Sequence, residues 1–128
     1  MTNPKELLYT KEHEWIQFLD ADKKTAKVGI TDFAQSALGD IVFMTLPESG
    51  DQVTKGDQVA DVESVKAVSN IYTPVTGTVT KVNEEIIDNP AELNTKPYQS
   101  WLFEVKEITD TTELLDSEAY EKVVLEEE

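Results

Sequence analysis

The residue whose chemistry stands out in this sequence is a lysine, Lys66, between two runs that favour strands. Segments 59–64 and 68–73 carry the alternation, or the β-branched and aromatic residues, typical of strands, so the chain reverses near 64–67. A reversal there places Lys66 at or beside a hairpin tip, with its amine in water, where another protein can modify it. The alternative is a lysine that only solubilises the tip, since loop tips tolerate almost any polar residue.

Ser64 lies two residues before Lys66, on the same side of a strand. This pair also fits a Ser–Lys nucleophile, or a lysine that forms a Schiff base. However, a solvated lysine amine becomes a good nucleophile only in a dry pocket or beside another cation. The neighbouring acids Asp61 and Glu63 favour the charged ammonium instead. The chain therefore displays a lysine without the groups needed to activate it, which favours a carrier that other proteins load and unload.

The composition limits the other classes of function. The chain has 128 residues, which suits one domain, and it has no cysteine, so thiol catalysis and zinc–thiolate sites are excluded. Its single histidine, His13, cannot form a metal site without further ligands. Its five glycines are too dispersed for a phosphate-binding loop. We therefore expect neither catalytic residues nor a metal site.

The net charge of −15 limits the partners, and all 11 basic residues are lysines. Such a chain is repelled by nucleic acid and by anionic membranes, so partners with basic surfaces are expected. The alternative is an acidic surface that only maintains solubility.

No apolar run reaches the ~18 residues of a membrane span, and residues 1–6 have no signal or transit pattern. The sequence thus predicts a cytoplasmic protein, and a monomer is expected.

The pattern of the remaining chain predicts mainly strands. Hairpin strands are expected within 14–30, a buried strand at 41–46 because that run is the most continuously apolar, and further strands at 77–83 and 101–106. A short repeat occurs once before and once after Lys66: Pro-x-x-Gly followed closely by Val-Thr-Lys. The repeat suggests two similar β units that form a sandwich.

Two helices are expected besides the strands. Thr31 can cap a short helix near 32–38, and Gly39 lies where that helix must end. The tail, at about 111–125, has an imperfect apolar stripe typical of a helix, with Asp110 and Thr111 as candidate caps.

Motifs along nearly the whole chain carry a resemblance to a known family. In order they are His13-Glu14-Trp15, Gly29-Ile30-Thr31-Asp32-Phe33-Ala34-Gln35, Leu38-Gly39-Asp40-Ile41-Val42, Leu46-Pro47, Val53-Thr54-Lys55-Gly56, Glu63-Ser64-Val65-Lys66-Ala67, Pro74-Val75-Thr76-Gly77, Val82-Asn83 and Trp101-Leu102. With these motifs the chain resembles the H protein of the glycine cleavage system, a lipoyl carrier. The resemblance implies one lipoyl-carrier domain over 1–128, with a hairpin core at about 40–106. Its fold would be a mainly β barrel-sandwich hybrid of two small antiparallel sheets, like other lipoyl and biotinyl carriers.

The same resemblance implies the cofactor and the partners. Lipoate would be joined as an amide to Lys66 by a lipoate ligase or an octanoyl or lipoyl transferase. The arm would carry an aminomethyl group from the pyridoxal-phosphate-dependent glycine decarboxylase (P protein) to the aminomethyltransferase (T protein). Dihydrolipoamide dehydrogenase (L protein) would then reoxidise it. Because the cofactor brings its own sulfur, the chain needs no cysteine.

Particular residues also gain roles through this resemblance. Glu63, three residues before Lys66, would help the lipoylating enzyme to recognise the hairpin. A surface cleft would shelter the loaded arm. His13 and Glu14 match the family's segment beside this cleft, and Asp32 follows the strand that borders it. Asn70 stands at a cleft position where other members carry different polar residues. The alternative for all of these is ordinary surface charge.

Two other classes of function stay open on the residues alone. Lipoyl domains of 2-oxoacid dehydrogenases and biotin carriers also present a hairpin lysine. Biotin carriers usually flank the lysine with methionines, whereas Val65 and Ala67 stand here. Lipoyl domains are shorter and usually have Asp before the lysine. An acidic binding module with an unmodified Lys66 is the alternative from a different class.

Overall fold

The computed structural model of this chain describes residues 3–111 and 113–127. The strands in these residues are β1 (Leu8–Tyr9), β2 (Glu14–Phe18), β3 (Ala26–Ile30), β4 (Ile41–Thr45), β5 (Gln52–Val53), β6 (Gln58–Ser64), β7 (Val68–Tyr72), β8 (Thr76–Val82) and β9 (Phe103–Asp110). The helices are α1 (Asp32–Leu38), α2 (Glu84–Asp88), α3 (Glu92–Thr95) and α4 (Ser117–Glu127). No helix among the described residues is long and apolar enough to cross a membrane.

The strands form two antiparallel sheets, as the family resemblance implies. One sheet has six strands in the order β1-β2-β3-β9-β8-β5, and the other has three in the order β4-β6-β7. Side chains of both sheets meet in one core, which includes Val28 and Val105 from the larger sheet and Val62 and Ile71 from the smaller. The smaller sheet therefore has one face on the core, and its other face lies towards solvent.

A second apolar cluster joins the two ends of the described chain. It contains five buried side chains: Leu7, Tyr9, Trp15, Tyr120 and Val124. The rings of Tyr9 and Tyr120 stack with centroids 4.7 Å apart. In addition, the backbones of Tyr9 and Leu115 exchange two hydrogen bonds of 2.7 and 2.8 Å. These contacts fix α4 against the start of the larger sheet.

The short helix α1 begins and ends as predicted from the sequence. The Thr31 hydroxyl accepts a hydrogen bond from the Ala34 amide, and Asp32 places a negative charge in the first turn. Gly39 ends the helix with φ of 82°, a backbone conformation that residues other than glycine rarely adopt. The helix boundaries, 32 and 38, are therefore confirmed.

The prediction of a buried strand at 41–46 is confirmed for the strand, which is β4 (Ile41–Thr45), and wrong for its burial. Ile41 and Met44 are buried, whereas Val42 and Phe43 are 50% and 54% exposed. The register with β6 shifts between Ile41 and Phe43, so an extra residue bulges there and both neighbours reach the solvent face. A continuous apolar run is typical of a strand covered on both sides, and it does not reveal a bulge.

The start of the C-terminal helix also differs from the prediction at 111. Strand β9 continues through Asp110, and α4 begins only at Ser117. The Asp116 side chain accepts a hydrogen bond from the Ala119 amide, so Asp116 caps the helix in place of Asp110 or Thr111. Residue 111 lies outside any helix, and the helix starts late because Leu115 pairs with Tyr9.

Close packing of Trp15 on Gly29 makes that glycine a sensitive position. The two residues lie opposite each other on β2 and β3, and a Cβ at Gly29 would fall 2.5 Å from the indole ring. The indole is buried and donates a hydrogen bond of 3.1 Å to the Pro97 carbonyl, so it has little freedom to move.

We expect Gly29→Ala to lower the free energy of unfolding by about 1–3 kcal/mol, because an overpacked core must displace a fixed ring. Urea denaturation followed by tryptophan fluorescence measures this change. The control Gln17→Ala, at an exposed position of β2, the strand that carries Trp15, should stay within about 0.5 kcal/mol of wild type. Equal stability of Gly29→Ala and wild type would contradict the packing argument.

Candidate functional site

Lys66 lies exposed in a tight turn that joins β6 to β7. The turn is closed by the Ser64 amide, which donates a hydrogen bond of 2.8 Å to the Ala67 carbonyl. The Ser64 hydroxyl accepts from the amides of Lys66 and Ala67, at 3.2 and 3.0 Å. Ser64 therefore serves as the internal frame of the turn rather than as a nucleophile, and Lys66 projects from a defined backbone.

The turn is also fastened to the rest of the fold. The Val65 amide donates a hydrogen bond of 3.0 Å to the Asp40 carbonyl, in the connection between α1 and β4. Asn94 of α3 holds that same connection, because its amide nitrogen donates to the Gly39 carbonyl and its oxygen accepts from the Ile41 amide. The base of the Lys66 side chain is thus fixed through two successive links to the body of the protein.

Nothing in the sequence pattern distinguished Asn94 from other polar residues of a loop. Its role depends on the packing of α3 beside α1, which brings together residues more than 50 positions apart. The side chain of Lys66 itself passes over Gly39, where a Cβ would lie 3.4 Å from Lys66 Cε. The glycine that ends α1 therefore also leaves space beside the lysine.

Glu63 is exposed in the middle strand of the smaller sheet. It lies opposite Phe43 on one side and Val68 on the other. Directly opposed residues project from the same face of a sheet, so this carboxylate stands between two exposed apolar side chains. The position lies within three residues of Lys66, on the hairpin itself.

Glu14 differs from the other acidic residues because it is almost completely buried, with 1% exposed. Its Oε1 accepts a hydrogen bond of 2.8 Å from the Thr10 hydroxyl, and its Oε2 accepts one of 3.1 Å from the Tyr72 amide. Burial raises the pKa of Glu14 to about 7, although these two hydrogen bonds counteract part of the effect and Glu12 adds to it. The carboxyl group is fixed in orientation and changes its charge near neutral pH.

Glu14 lines a cleft of about 630 Å³. The cleft is bounded by the segment before β2, by the loops around Lys55 and Pro74, and by the segment that precedes α4: Thr10, Lys11, Glu12, Lys55, Gly56, Thr73, Pro74, Glu113, Leu114 and Leu115. Both acids and lysines line the cleft, and Lys55 Nζ is 3.5 Å from the Glu113 carboxylate. The sequence did not predict the contribution of the C-terminal segment to this cleft.

The strand β7 connects this cleft with the hairpin. It starts two residues after Lys66 and ends at Tyr72, whose amide binds Glu14. Asn70 lies exposed between these two points, opposite Asp61, and its side-chain oxygen accepts a hydrogen bond from Gln58. Asn70 thus lies along the strand that leads from the lysine to the cleft, although it does not line the cleft.

His13 and Asp32 lie apart from the lining of the cleft. His13 Nδ1 is 2.7 Å from the Tyr120 hydroxyl, and its Nε2 is 2.8 Å from a carboxylate oxygen of Glu127. Its ring also packs on Phe33. Asp32 lies in the first turn of α1, where its Oδ1 accepts a hydrogen bond of 2.7 Å from Gln35.

Through these contacts His13 is bound to α4, and the Asp32 side chain is bound within α1. Of the four residues expected at the cleft, only Glu14 lines it. No group of three or more His, Cys, Asp or Glu side chains within 3–111 and 113–127 is arranged to hold a metal ion.

Comparison with known proteins matches this chain and its fold to one family. The family described as Glycine cleavage H-protein matches residues 7–127. The glycine cleavage system H protein of Kocuria rhizophila is 55% identical over 128 residues, which cover 97% of this chain and 99% of that protein. Its counterpart from Lachnoclostridium phytofermentans is 50% identical over 121 residues, 94% of each chain.

A solved structure agrees with the sequence comparisons. The crystal structure of a glycine cleavage system H protein from Mycobacterium marinum superposes with a TM-score of 0.87 at 39% identity. The match covers 94% of this chain and 97% of that one. The two sheets therefore form the barrel-sandwich of lipoyl-type carriers, and the chain belongs to the glycine cleavage H-protein family, the lipoyl carriers of the glycine cleavage system.

Proposed function

We propose that Lys66 carries the lipoyl group in amide linkage, and that the chain itself catalyses no reaction. The loaded arm would take the aminomethyl group of glycine from the pyridoxal-phosphate-dependent decarboxylase to the aminomethyltransferase. Dihydrolipoamide dehydrogenase would then restore the disulfide form. The observation that carries this proposal is the exposed Lys66 in a turn that Ser64 and the Asp40 carbonyl hold rigid.

The residues around Lys66 fit a covalently attached arm. The amine is exposed, and the lysine side chain passes beside Gly39, which has no side chain to obstruct it. When bound, the lipoyl group would supply the sulfur chemistry that a chain without cysteine lacks. Lys66 would hold this group on a fixed base, so that tethering raises its effective concentration at each partner enzyme.

Glu14 has the properties needed to hold a cationic nitrogen in the cleft. Its carboxyl oxygens are fixed by Thr10 and by the Tyr72 amide, and burial keeps water from competing for them. An arriving cation favours the ionised form of Glu14, because the attraction offsets the cost of burying the charge. The walls formed by Pro74 and Leu114 would limit the access of water. His13, Asp32 and Asn70 remain predicted cleft residues by resemblance only.

The acidic surface suits the partner enzymes of this proposal. A net charge of −15 would attract the decarboxylase, the aminomethyltransferase and the dehydrogenase through basic surfaces. A carrier must also leave each partner quickly, and attraction between charges at an interface raises the association rate more than the affinity. The cytoplasmic location and the monomeric state stay predictions.

The test of this proposal is the mass and the activity of the carrier. We expect the protein purified from its native cell to gain the mass of one lipoyl or octanoyl group, mapped to Lys66 by peptide sequencing. Lys66→Arg should remove the gain in mass and all glycine cleavage activity of a reconstituted system, with an unchanged thermal midpoint because the side chain is exposed. The matched control Lys81→Arg, also exposed, should behave as wild type. A biotinyl mass, or activity of Lys66→Arg, would refute the proposal.

A second prediction concerns the stability of the fold and pH. Because the pKa of Glu14 is raised from 4.5 to about 7, the folded state binds more protons than the unfolded state between these values. The contribution of Glu14 to stability is therefore complete below pH 4.5 and is lost as the pH rises through 7. Between pH 5 and 8, wild type should lose roughly 2–3 kcal/mol relative to Glu14→Gln. Denaturant unfolding at each pH measures this difference, and a constant difference would contradict the burial argument.

A third prediction concerns protection of the carried group. We expect Glu14→Gln to shorten the half-life of the loaded carrier in buffer, since the neutral amide cannot hold a cationic nitrogen as a carboxylate does. Glu12→Gln, which changes an exposed acid of the same cleft, is the control and should have a smaller effect. Mass spectrometry of the isolated loaded carrier over time gives both half-lives. Equal half-lives for Glu14→Gln and wild type would exclude a protective role.

A further inference from the structure

One wall of the cleft is attached to the fold by few contacts. We call residues 113–116, which supply Glu113, Leu114 and Leu115 to this wall, the C-terminal strap. Within the described residues, the backbone of the strap pairs with a strand only where Leu115 meets Tyr9, and this pairing is an isolated bridge. The strap can therefore leave the cleft without breaking any pairing within the two sheets.

The helix α4, which follows the strap, is held by few buried side chains. Of its 11 residues, only Ser117, Tyr120 and Val124 are buried. Its last turn has no basic residue and ends in Glu126 and Glu127, although the C-terminal end of a helix favours cations. A helix of this length is marginal in water by itself. The strap and α4 therefore form a unit whose local opening costs less free energy than unfolding of the whole protein.

The Tyr120 hydroxyl joins α4 to two other parts of the fold. It lies 2.7 Å from the Thr31 hydroxyl and 2.7 Å from His13 Nδ1. The Thr31 oxygen in turn accepts a hydrogen bond from the Ala34 amide. On the other side, His13 Nε2 donates to the Glu127 carboxylate, at a distance of 2.8 Å. A continuous chain of hydrogen bonds thus runs from the end of α4 to the first turn of α1.

This chain satisfies each of its polar atoms when His13 is neutral. The Thr31 hydroxyl donates to the Tyr120 oxygen, and the Tyr120 hydroxyl donates to His13 Nδ1. Burial raises the pKa of Tyr120 above its ordinary value, so this hydroxyl keeps its proton. Without it, the Thr31 hydroxyl would lose its acceptor and His13 Nδ1 its donor, which would weaken the docking of α4.

Glu113, at the start of the strap, has an unusual backbone conformation. Its φ is 68°, a value that residues other than glycine rarely adopt. Strained positions of this kind are frequent in segments that change between two arrangements. The Glu113 side chain is exposed and lies 3.5 Å from Lys55 Nζ. An exposed ion pair contributes little, so the strap is held mainly through Leu115 and α4.

We propose that the C-terminal strap and α4 form a movable wall of the cleft that Tyr120 holds closed, an inference that rests on the proposed function. With α4 docked, the strap covers a group bound at Glu14, because both line the same cleft. When α4 undocks, the strap is released and water reaches that group. Tyr120 does not line the cleft, so it is a positioning residue that acts through the strap.

The proposal is first tested by hydrogen exchange of the full-length, unmodified chain. In wild type, we expect protection factors in α4 to be about tenfold or more below those in β3 and β9, because α4 opens without global unfolding. Tyr120→Phe should accelerate exchange in α4 by about fivefold, since it keeps the ring that stacks on Tyr9 and removes only the hydroxyl. Mass spectrometry of peptides measures both effects. Equal protection of α4 and the two strands would overturn the proposal.

A second measurement asks whether this motion controls the shelter. The carrier is acylated at Lys66, loaded with the aminomethyl group and isolated, and its mass is followed over time. We expect Tyr120→Phe to shorten the half-life of the loaded form by about fivefold, in step with the faster opening of α4. The matched control is Tyr9→Phe, which loses a hydroxyl of the same stacked pair that donates to the Pro4 carbonyl instead. Its half-life should stay within about twofold of wild type.

The comparison of the two variants separates a role in the cleft from a role in stability. Urea unfolding of both variants gives their global stability, and only Tyr120→Phe should shorten the half-life beyond what that stability explains. An unchanged half-life in Tyr120→Phe, or an equal loss in Tyr9→Phe, would overturn the proposal. If wild type is not acylated at Lys66, the proposed function fails, whereas hydrogen exchange of the unmodified chain still tests the motion of α4.

Discussion

A movable arm needs an immovable base, and here the base depends on the hydrogen bond between the Val65 amide and the Asp40 carbonyl. The strands of the β6–β7 hairpin are already held by β4 and by the core, so this bond acts on the tip, which it fastens to the connection before β4. Within the turn, the Ser64 hydroxyl binds two amides and so removes the remaining freedom of the backbone. The lysine can then vary only through its own side chain and whatever is attached to it.

Glu14 shows a different balance between stability and function. A buried carboxyl group costs free energy when it ionises, and two hydrogen bonds compensate this cost only in part. An apolar residue at this position would avoid the buried charge, but it would leave the Thr10 hydroxyl and the Tyr72 amide without their acceptor. The group is nevertheless fixed at the wall of a cleft, where it can meet a ligand. Perturbed titration together with a cleft is a frequent sign of a functional site.

Local signals in the sequence predicted those parts of the molecule that depend on neighbours along the chain. Thr31 and Gly39 define α1 because a cap and a left-handed glycine act within a few residues. The position of Lys66 in a turn follows in the same way from two adjacent strand patterns. These local features include the residue on which the proposed function depends.

The parts that the sequence did not predict depend on contacts between distant segments. Val42 is exposed because of a bulge against β6, and Asn94 acts on residues that only the packed fold brings near it. The C-terminal segment is withheld from the helix until Ser117 because Leu115 pairs with Tyr9. The same pairing places that segment along the cleft, where it forms one wall. No local sequence pattern indicates this position.

The pairing of Tyr9 with Leu115 has a consequence for the order of events during synthesis. The cleft is bounded on one side by residues 10–14 and on the other by residues 113–115, which leave the ribosome about a hundred residues later. The strands that frame Lys66 are translated well before that. A nascent chain can therefore complete its hairpin while its cleft is still open, and the cleft is complete only when the segment before the last helix pairs with Tyr9.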